Sequence, residues 1–421
     1  MFNPSFFPRY TEFEPSVPVW CLTPREGRCF HRFFDTSPLS QSQRFLACLR
    51  LPSETSYPVP GQKAAVILVD LASGEEKIVA QTAGWETQLG ANINWGASDD
   101  ELFFNDVDEK SWAPVAVKLD LHTGKSERFG RGVYHVSPDG EWGICASLEK
   151  MRRTQFGYGV VIPEEKVPVN WELADDDGLF LTDLQTGQVK LLVSLRELLE
   201  NHLPERDLPI LRDYCFYGFH AKWAPTGDRL LFTVRGIPRA RALGYEMSWP
   251  MLFAIFTMRP DGSEIVCATD FSFWNRAGHH INWSPDGSFL TMNHALHFDH
   301  LRLVRCDADG QNKRPLLLNT LGSGHPSLHP NGKNLLTDCY LGEPMTAGDG
   351  TVPLRWIDLE NENEEQLVRI KIASPSPLNP LRIDPHPAWD KSWRFVAFNG
   401  APDGTRRVFL ADLSEKLAQT S

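Results

Sequence analysis

One type of segment recurs down this chain: an apolar lead-in, a tight turn built on Pro-Asp-Gly or a variant of it, and a strand-like run. Copies read NWGASDDELFF (94–104), VSPDGEWGICAS (136–147), WAPTGDRLLFT (223–233), WSPDGSFLTMN (283–293), LHPNGKNLLTD (328–338) and AWDKSWRFVAF (388–398), with a degenerate first copy in SPLSQSQRFLACL (37–49). Proline presets φ for the turn and glycine accepts the positive φ that closes it. Each copy is followed by a second unit, in which a strand runs into an Asp-Leu-x-x-Gly-like turn and another strand. These read VILVDLASGEEKIV (66–79), VAVKLDLHTGKSERF (115–129), LFLTDLQTGQVKLLV (179–193), FAIFTMRPDGSEIV (253–266), LRLVRCDADGQNKRPLL (301–317), LRWIDLENENEEQLV (354–368) and VFLADLSEKL (408–417). Two hairpins make one four-stranded antiparallel blade, so seven pairs predict an all-β, seven-bladed β-propeller spanning residues 1–421 as a single domain. The last copy ends soon after its third strand. The missing outer strand is expected from the N-terminal segment around Pro18–Leu22, which would close the ring and cover a sheet edge.

Blade lengths are uneven, and three insertions stand out, at about 150–177, 194–219 and 235–250. The second contains SLRELLENHL, which reads as a short helix, and the third is rich in arginine and aromatic residues. Loops on a rigid scaffold are where binding groups usually sit.

Composition narrows the function classes. A formal net charge of −12 argues against non-specific binding to nucleic acid or to an anionic membrane, while leaving room for a local basic patch. No run approaches the ~18 apolar residues of a membrane span. The first residues lack a basic region followed by an apolar stretch, and the eight cysteines show no paired spacing. They read as buried free thiols of a reducing compartment, so a soluble cytoplasmic protein is expected.

The chemistry comes from four histidines at one repeat position. His220, His280, His325 and His386 each lie three residues before the anchor of successive copies, in HAKWAPTG, HINWSPDG, HPSLHPNG and HPAWDKS. In a propeller these positions face one another at one mouth of the central channel. A single histidine at a strand start is most often a structural group, but four at one register suggest a metal or acid–base site. Asn92 holds the same register in the second copy and Val133 in the third, so the polar cluster is one-sided. Imidazoles suit zinc, iron, nickel or copper, and with oxygen ligands also manganese. Asp384, two residues before His386, should share its face in an extended strand, so His280, His386 and Asp384, with His325, form a candidate divalent site.

Arginines are the candidate carboxylate binders, because their forked donors match a carboxylate. Arg382 lies two residues before Asp384, Arg235 and Arg239 follow the His220 strand, and Arg152 and Arg153 open the largest insertion with Tyr158. Tyr245 lies in the third insertion. Solvated surface charge is the plain alternative for each arginine taken singly.

With these segments the chain resembles the oligogalacturonate lyase family of seven-bladed, TolB-like propellers. The likeness covers most of the chain as a repeat pattern and the last four blades as motif. HAKWAPTGDRLLFTVRG (220–236) is similar to the segment carrying that family's catalytic base, which falls on His220. HINWSPDG resembles the segment with a metal-binding histidine, His280; GHPSLHPNG resembles a further histidine-led strand, His325; and DPHPAW resembles the last-blade motif, with His386 as ligand. The last blade departs from the family's His-Pro-His: Asp384 stands for its first histidine, and Leu381 where a glutamine ligand is expected.

The resemblance implies β-elimination on an anionic, uronate-containing oligosaccharide with a divalent metal, Mn²⁺ first and Zn²⁺ or another next. His220 would take the C5 proton, Arg235 or Arg382 would assist electrostatically, and Arg152, Arg153, Tyr158, Arg239 and Tyr245 would bind substrate. Two other classes remain open from sequence. One is another carbohydrate-active reaction such as glycoside hydrolysis, although no carboxylate pair stands in the histidine register. The other is a non-catalytic propeller that binds a sugar or a protein.

Overall fold

The computed structural model describes residues 2–244, 251–372 and 379–419. Seven four-stranded antiparallel sheets form the ring, six of them running outward in chain order from an innermost strand. Blade 1 consists of Cys29–Phe30, Phe45–Arg50, Ala64–Asp70 and Glu75–Thr82, and blade 2 of Asn94–Trp95, Glu101–Val107, Pro114–Asp120 and Ser126–Phe129. Blade 3 starts at His135–Val136, blade 4 at Tyr214–Trp223, blade 5 at Gly278–Trp283 and blade 6 at Ser327–Leu328. Blade 7 takes Ala388–Trp389, Phe395–Gly400 and Arg407–Asp412 from the end of the chain and Val19–Cys21 from its beginning.

Side-chain pattern follows position in the blade. Middle strands such as Leu230–Pro238 are nearly continuous in apolar residues, because neighbouring blades cover both faces. Outer strands such as Glu75–Thr82 are exposed or half-buried along nearly their whole length and carry charged residues. The innermost hairpins turn on glycines with φ of 77° at Gly140 and Gly227 and 70° at Gly287, as the repeated turn requires. The 194–219 insertion carries the expected helix, Leu195–His202, capped by the Ser194 side chain accepting from the Glu197 N–H at 3.1 Å. All eight cysteines are free, and seven are buried. No helix among the described residues is long and apolar enough to cross a membrane.

Ring closure uses the segment expected for it. Val19, Trp20 and Cys21 pair with Ala411, Leu410 and Phe409, and Val19 joins a core cluster with Phe409, Phe398 and Leu354. The axis is filled by blade 1. Between its first two strands, residues 31–36 run through the ring. Arg32 donates to Asn92 Oδ1 of blade 2 at 3.1 Å and lies over Tyr134 of blade 3, while Phe33 meets side chains of blades 4 to 7.

Val19→Asp would bury a carboxylate at a position with 0% exposure, which costs several kcal/mol. Thermal denaturation followed by circular dichroism should show a melting temperature lowered by several degrees, with Val59→Asp, at 61% exposure, unchanged.

Candidate functional site

The four register histidines come together, and irregular backbone aims them. Pairing slips between Gly218 and Ala221 in blade 4 and between His279 and Asn282 in blade 5, so His220 and His280 each sit in a β-bulge. A bulge takes a side chain off the strict alternation of a strand. His325 and His386 lie just ahead of two-residue inner strands. His280 and His386 have left-handed φ of 56° and 49°, and Asn92, at the same register, has 49°. Each such φ costs about 1–3 kcal/mol in a non-glycine residue, and three at one repeat position mark a geometry enforced by the surroundings.

Phe33 stands among the four rings, with centroid distances of 5.2 Å to His220, 6.0 Å to His280, 5.4 Å to His325 and 4.7 Å to His386. His280 and His325 stack at 4.0 Å, and His386 meets His325 edge-on at 4.3 Å. Asp338, the last residue of LHPNGKNLLTD, ties blades 6 and 7 together. It accepts from the His325 N–H at 2.7 Å and the His386 N–H at 3.2 Å, and its oxygens lie 2.9 and 3.0 Å from His325 Nδ1. Gly324 has φ of 59°, and a Cβ there would collide with the Asp338 carboxylate, so the residue before His325 carries no side chain. A carboxylate at Nδ1 draws the ring proton there and leaves Nε2 as a bare lone pair.

His325, Asp384 and His386 each offer a ligand atom within 4.8 Å of the others, and all three are buried. His386 Nε2 is 3.8 Å from Asp384 Oδ2. Neither ring nitrogen of His386, nor Nε2 of His325, has a hydrogen-bond partner among the described residues. Buried polar atoms are nearly always satisfied, so bare imidazole nitrogens beside a carboxylate form a donor set that fits a divalent cation. His280 stands beside this group. Its Nδ1 donates to Gly324 O at 2.6 Å, and its Nε2 faces Tyr340 Oη at 3.4 Å.

His220 forms the other half of the cluster. Its ring stacks on Phe219 at 4.2 Å, and its Nε2 has no partner among the described residues. The Arg235 guanidinium lies 3.3 Å over the Phe219 ring and donates to Gln155 Oε1 at 2.9 Å. Arg382 pairs with Asp384 at 3.0 Å and reaches Tyr158 Oη at 3.4 Å. Burial, then the nearby cations Lys222 and Arg235, hold the His220 imidazole well below its ordinary range. Burial does the same to His280 and His386, and pushes His31, His279 and His325 down to about 3. The rings are neutral at pH 7.

The largest insertion covers this mouth. Thr87 Oγ1 donates to Gly157 O at 3.2 Å, Gln88 Nε2 donates to Pro380 O at 2.8 Å, and Gly157 packs on Pro380. Tyr158 packs on Phe219 at 5.0 Å. Glu86 takes the Gly159 N–H, and burial raises its carboxyl to about 8.

Several sequence expectations change. Residues 382–387 are irregular backbone, not the start of a strand, so Asp384 and His386 are neighbours through the turn at His386 and not through strand alternation. Arg152 donates to Ile162 O at 3.2 Å and Arg153 to Val167 O at 2.7 Å, with Arg153 also pairing with Glu164 at 2.9 Å; these bonds brace the insertion itself. Arg239 pairs with Glu172 at 3.3 Å. Tyr245 lies outside the described residues. Sequence reasoning missed His31, Phe33, Asp338 and Tyr340. The first blade lacks a recognisable anchor from which to count to His31 and Phe33. Asp338 left one signal, an acid closing the apolar run NLLTD.

No protein-family model matches this chain, and no curated protein matches it. Solved structures do. An oligogalacturonate lyase in complex with manganese superposes with a TM-score of 0.66 over 98% of this chain and 97% of its own, at 15% identity. An oligogalacturonate lyase from Vibrio parahaemolyticus gives 0.64 over 97% of each chain, at 13% identity. The fold is that of the oligogalacturonate lyases. The β-propeller domain of the trilobed protease from Pyrococcus furiosus is similar more loosely, with a TM-score of 0.51 at 10% identity. The lyase likeness runs the length of both chains.

Imidazoles buried neutral are protonated in the unfolded chain once pH falls below about 6.5, and the folded state resists that charge. Each such histidine removes about 1.4 kcal/mol of stability per pH unit in that range. Asp338, raised to about 7, and Glu86, raised to about 8, both chiefly by burial, bind their protons in the folded state first and offset two of them. Melting temperature measured with chelator present should therefore drop steeply from pH 7 to pH 5.

Proposed function

We propose that this protein is a metal-dependent lyase that cleaves uronate-containing oligosaccharides by β-elimination. The observation that carries the reading is the gathering of bare imidazole nitrogens from His220, His325 and His386 beside Asp384 and Arg382. The fold, shared end to end with oligogalacturonate lyases, one of them in complex with manganese, supports the substrate class and Mn²⁺ as the metal. His325, Asp384 and His386, with His280 adjacent, would hold the cation. A bound divalent cation supplies positive charge against the C6 carboxylate and so makes the C5 hydrogen acidic.

The chain's own groups do the rest. Arg382 and Arg235 orient the substrate carboxylate, and Tyr158, whose phenol burial keeps protonated, adds a hydrogen-bond donor to the same group. His220, neutral and bare at Nε2, accepts the C5 proton. The C–H electron pair becomes the C4–C5 double bond as the C4–O bond breaks, and the leaving oxygen takes up a proton. Substrate reaches this closed mouth once the Gln155–Tyr158 cover moves aside.

Three measurements test the reading. Incubation with oligogalacturonates and Mn²⁺ should raise the ultraviolet absorbance of an unsaturated uronate, and a chelator should abolish the rise. His220→Ala should lose turnover by at least about a hundredfold with metal content unchanged; loss of both together would sink the assignment of roles. Asp338→Asn presents an amide N–H to His325 Nδ1 and sends the ring proton to Nε2. Mn²⁺ affinity by calorimetry should fall by about 10–100-fold.

A further inference from the structure

The tip of the cover over the histidine mouth hangs on a buried carboxyl group. Glu86 lies in the connection between blades 1 and 2, where its backbone N–H donates to Gly90 O at 2.9 Å, and it is 2% exposed. Its Oε2 accepts the Gly159 N–H of the cover, while Oε1 is buried with no partner among the described residues. One N–H on one oxygen does not replace the hydration of an ionised carboxylate, so the closed cover keeps this group neutral. Burial raises it to about 8 in line with that geometry.

The charged and titratable groups around Glu86 do not change this. They are Arg32 of the axial segment, Tyr57 between the second and third strands of blade 1, Tyr134 of blade 3 and Tyr158 of the cover, with Arg152 of the cover beside Tyr57. Arg32 is engaged elsewhere: it donates to Asn92 Oδ1 at 3.1 Å, lies 3.7 Å from Asp35 and makes no ion pair with Glu86. Arginine and tyrosine side chains hold their charge state between pH 7 and pH 8.5, and burial pushes the three phenols further up. Glu86 is the member of this set that titrates there.

The tip is built to move against a fixed stem. Gly157 and Gly159 have φ of 93° and 84°, and a Cβ at Gly159 would lie 2.6 Å from Leu148 O, so the chain doubles back at a point where only glycine fits. The stem behind is braced by Arg152 on Ile162 O and Arg153 on Val167 O. The tip meets the body of the propeller through isolated contacts from four blades. Phe156 stacks on Tyr57 at 4.3 Å, Thr87 donates to Gly157 O at 3.2 Å, Arg235 donates to Gln155 at 2.9 Å, and Arg382 reaches Tyr158 Oη at 3.4 Å. Beside these, the Glu86–Gly159 bond is the contact that depends on a proton solvent can remove.

We propose that Glu86 is a proton-operated latch: its neutral carboxyl holds Gly159, and with it Tyr158, over the histidine cluster, and transfer of its proton to solvent releases the tip. The closed form binds the proton more tightly than the open form, in which the carboxyl is hydrated, so opening becomes easier as pH rises toward the closed-state value. Between pH 7 and pH 8.5, where exposed and buried imidazoles are both neutral, the opening equilibrium should rise by about five- to tenfold. Because Tyr158 faces the substrate carboxylate in the proposed reaction, Glu86 would also be a positioning residue that sets access to the site. That consequence rests on the lyase reading; the latch does not.

Hydrogen–deuterium exchange of the full chain in chelator, read by mass spectrometry on peptides spanning the tip at pH 7 and pH 8.5, with each rate divided by the intrinsic rate at that pH, tests the latch. Protection of the wild-type tip should fall by about five- to tenfold across the interval and stay below that of strand Leu230–Pro238 at both pH values. Glu86→Gln offers Gly159 the same oxygen without a titratable proton, so its tip should be equally protected at both. Glu86→Ala removes the acceptor and should leave the tip poorly protected throughout. Constant protection in the wild type, an equal fall in Glu86→Gln, full protection in Glu86→Ala, or a tip that exchanges only together with the strand would each overturn the proposal. Neither metal nor substrate enters this measurement, so its failure is distinct from a failure of the unsaturated-uronate assay.

Discussion

The packing of Phe33 against four imidazoles is the contact on which both ends of the channel depend. A seven-bladed ring leaves an axis too wide for inner strands to close by themselves, and here a segment of blade 1 fills it. Phe33 presents apolar surface to His220, His280, His325 and His386 and excludes water from them. That exclusion keeps the rings neutral. It also leaves their outward nitrogens without solvent partners, so the same desolvation that destabilises charge prepares the cluster for a cation or a proton. Below the ring, Phe34 and the Asp35–Lys222 pair seal the axis from the other side.

A second constraint is backbone irregularity at one repeat position. A regular inner strand would alternate its side chains and send half of them between blades. The bulges at His220 and His280, and the left-handed residues His280 and His386, break that alternation where the axis needs polar groups. Asp338 then locks the result, since one carboxylate holds the His325 ring and two backbone N–H groups on adjacent blades. Strain at these positions is supported by the rigidity of seven packed sheets.

The two halves of the cluster have different chemical character. Around His325 and His386 the neighbours are carboxylates, Asp338 and Asp384, which favour positive charge. Around His220 they are cations and aromatic faces, which disfavour it. A carboxylate-rich side next to a side of cations and aromatic faces is the division that the proposed proton abstraction beside a carboxylate would call for. The last-blade Asp384 belongs to the first half, even though its neighbour Arg382 competes for one of its oxygens.

Sequence periodicity determined the architecture. Turn residues and strand patterns are local, repeat seven times, and reinforce one another, so blade number, the N-terminal closure at Val19–Cys21 and the convergence of four histidines followed from counting. The site's interior was a different matter. Phe33 and His31 belong to the one copy without a countable anchor, and Asp338 shares its repeat position with Asn105, Asn293 and Asn399, a position that by itself does not say that a carboxylate will also hold the His325 ring. The arginines separate for the same reason. Arg382 and Arg235 enter the cluster while Arg152, Arg153 and Arg239 turn to partners in or beside the insertions, because a long flexible side chain goes to whichever acid, carbonyl or aromatic face the folded chain brings near. Local repetition is written in the order of residues. Which buried nitrogens are left bare is settled only when blades from opposite ends of the chain close around one axis.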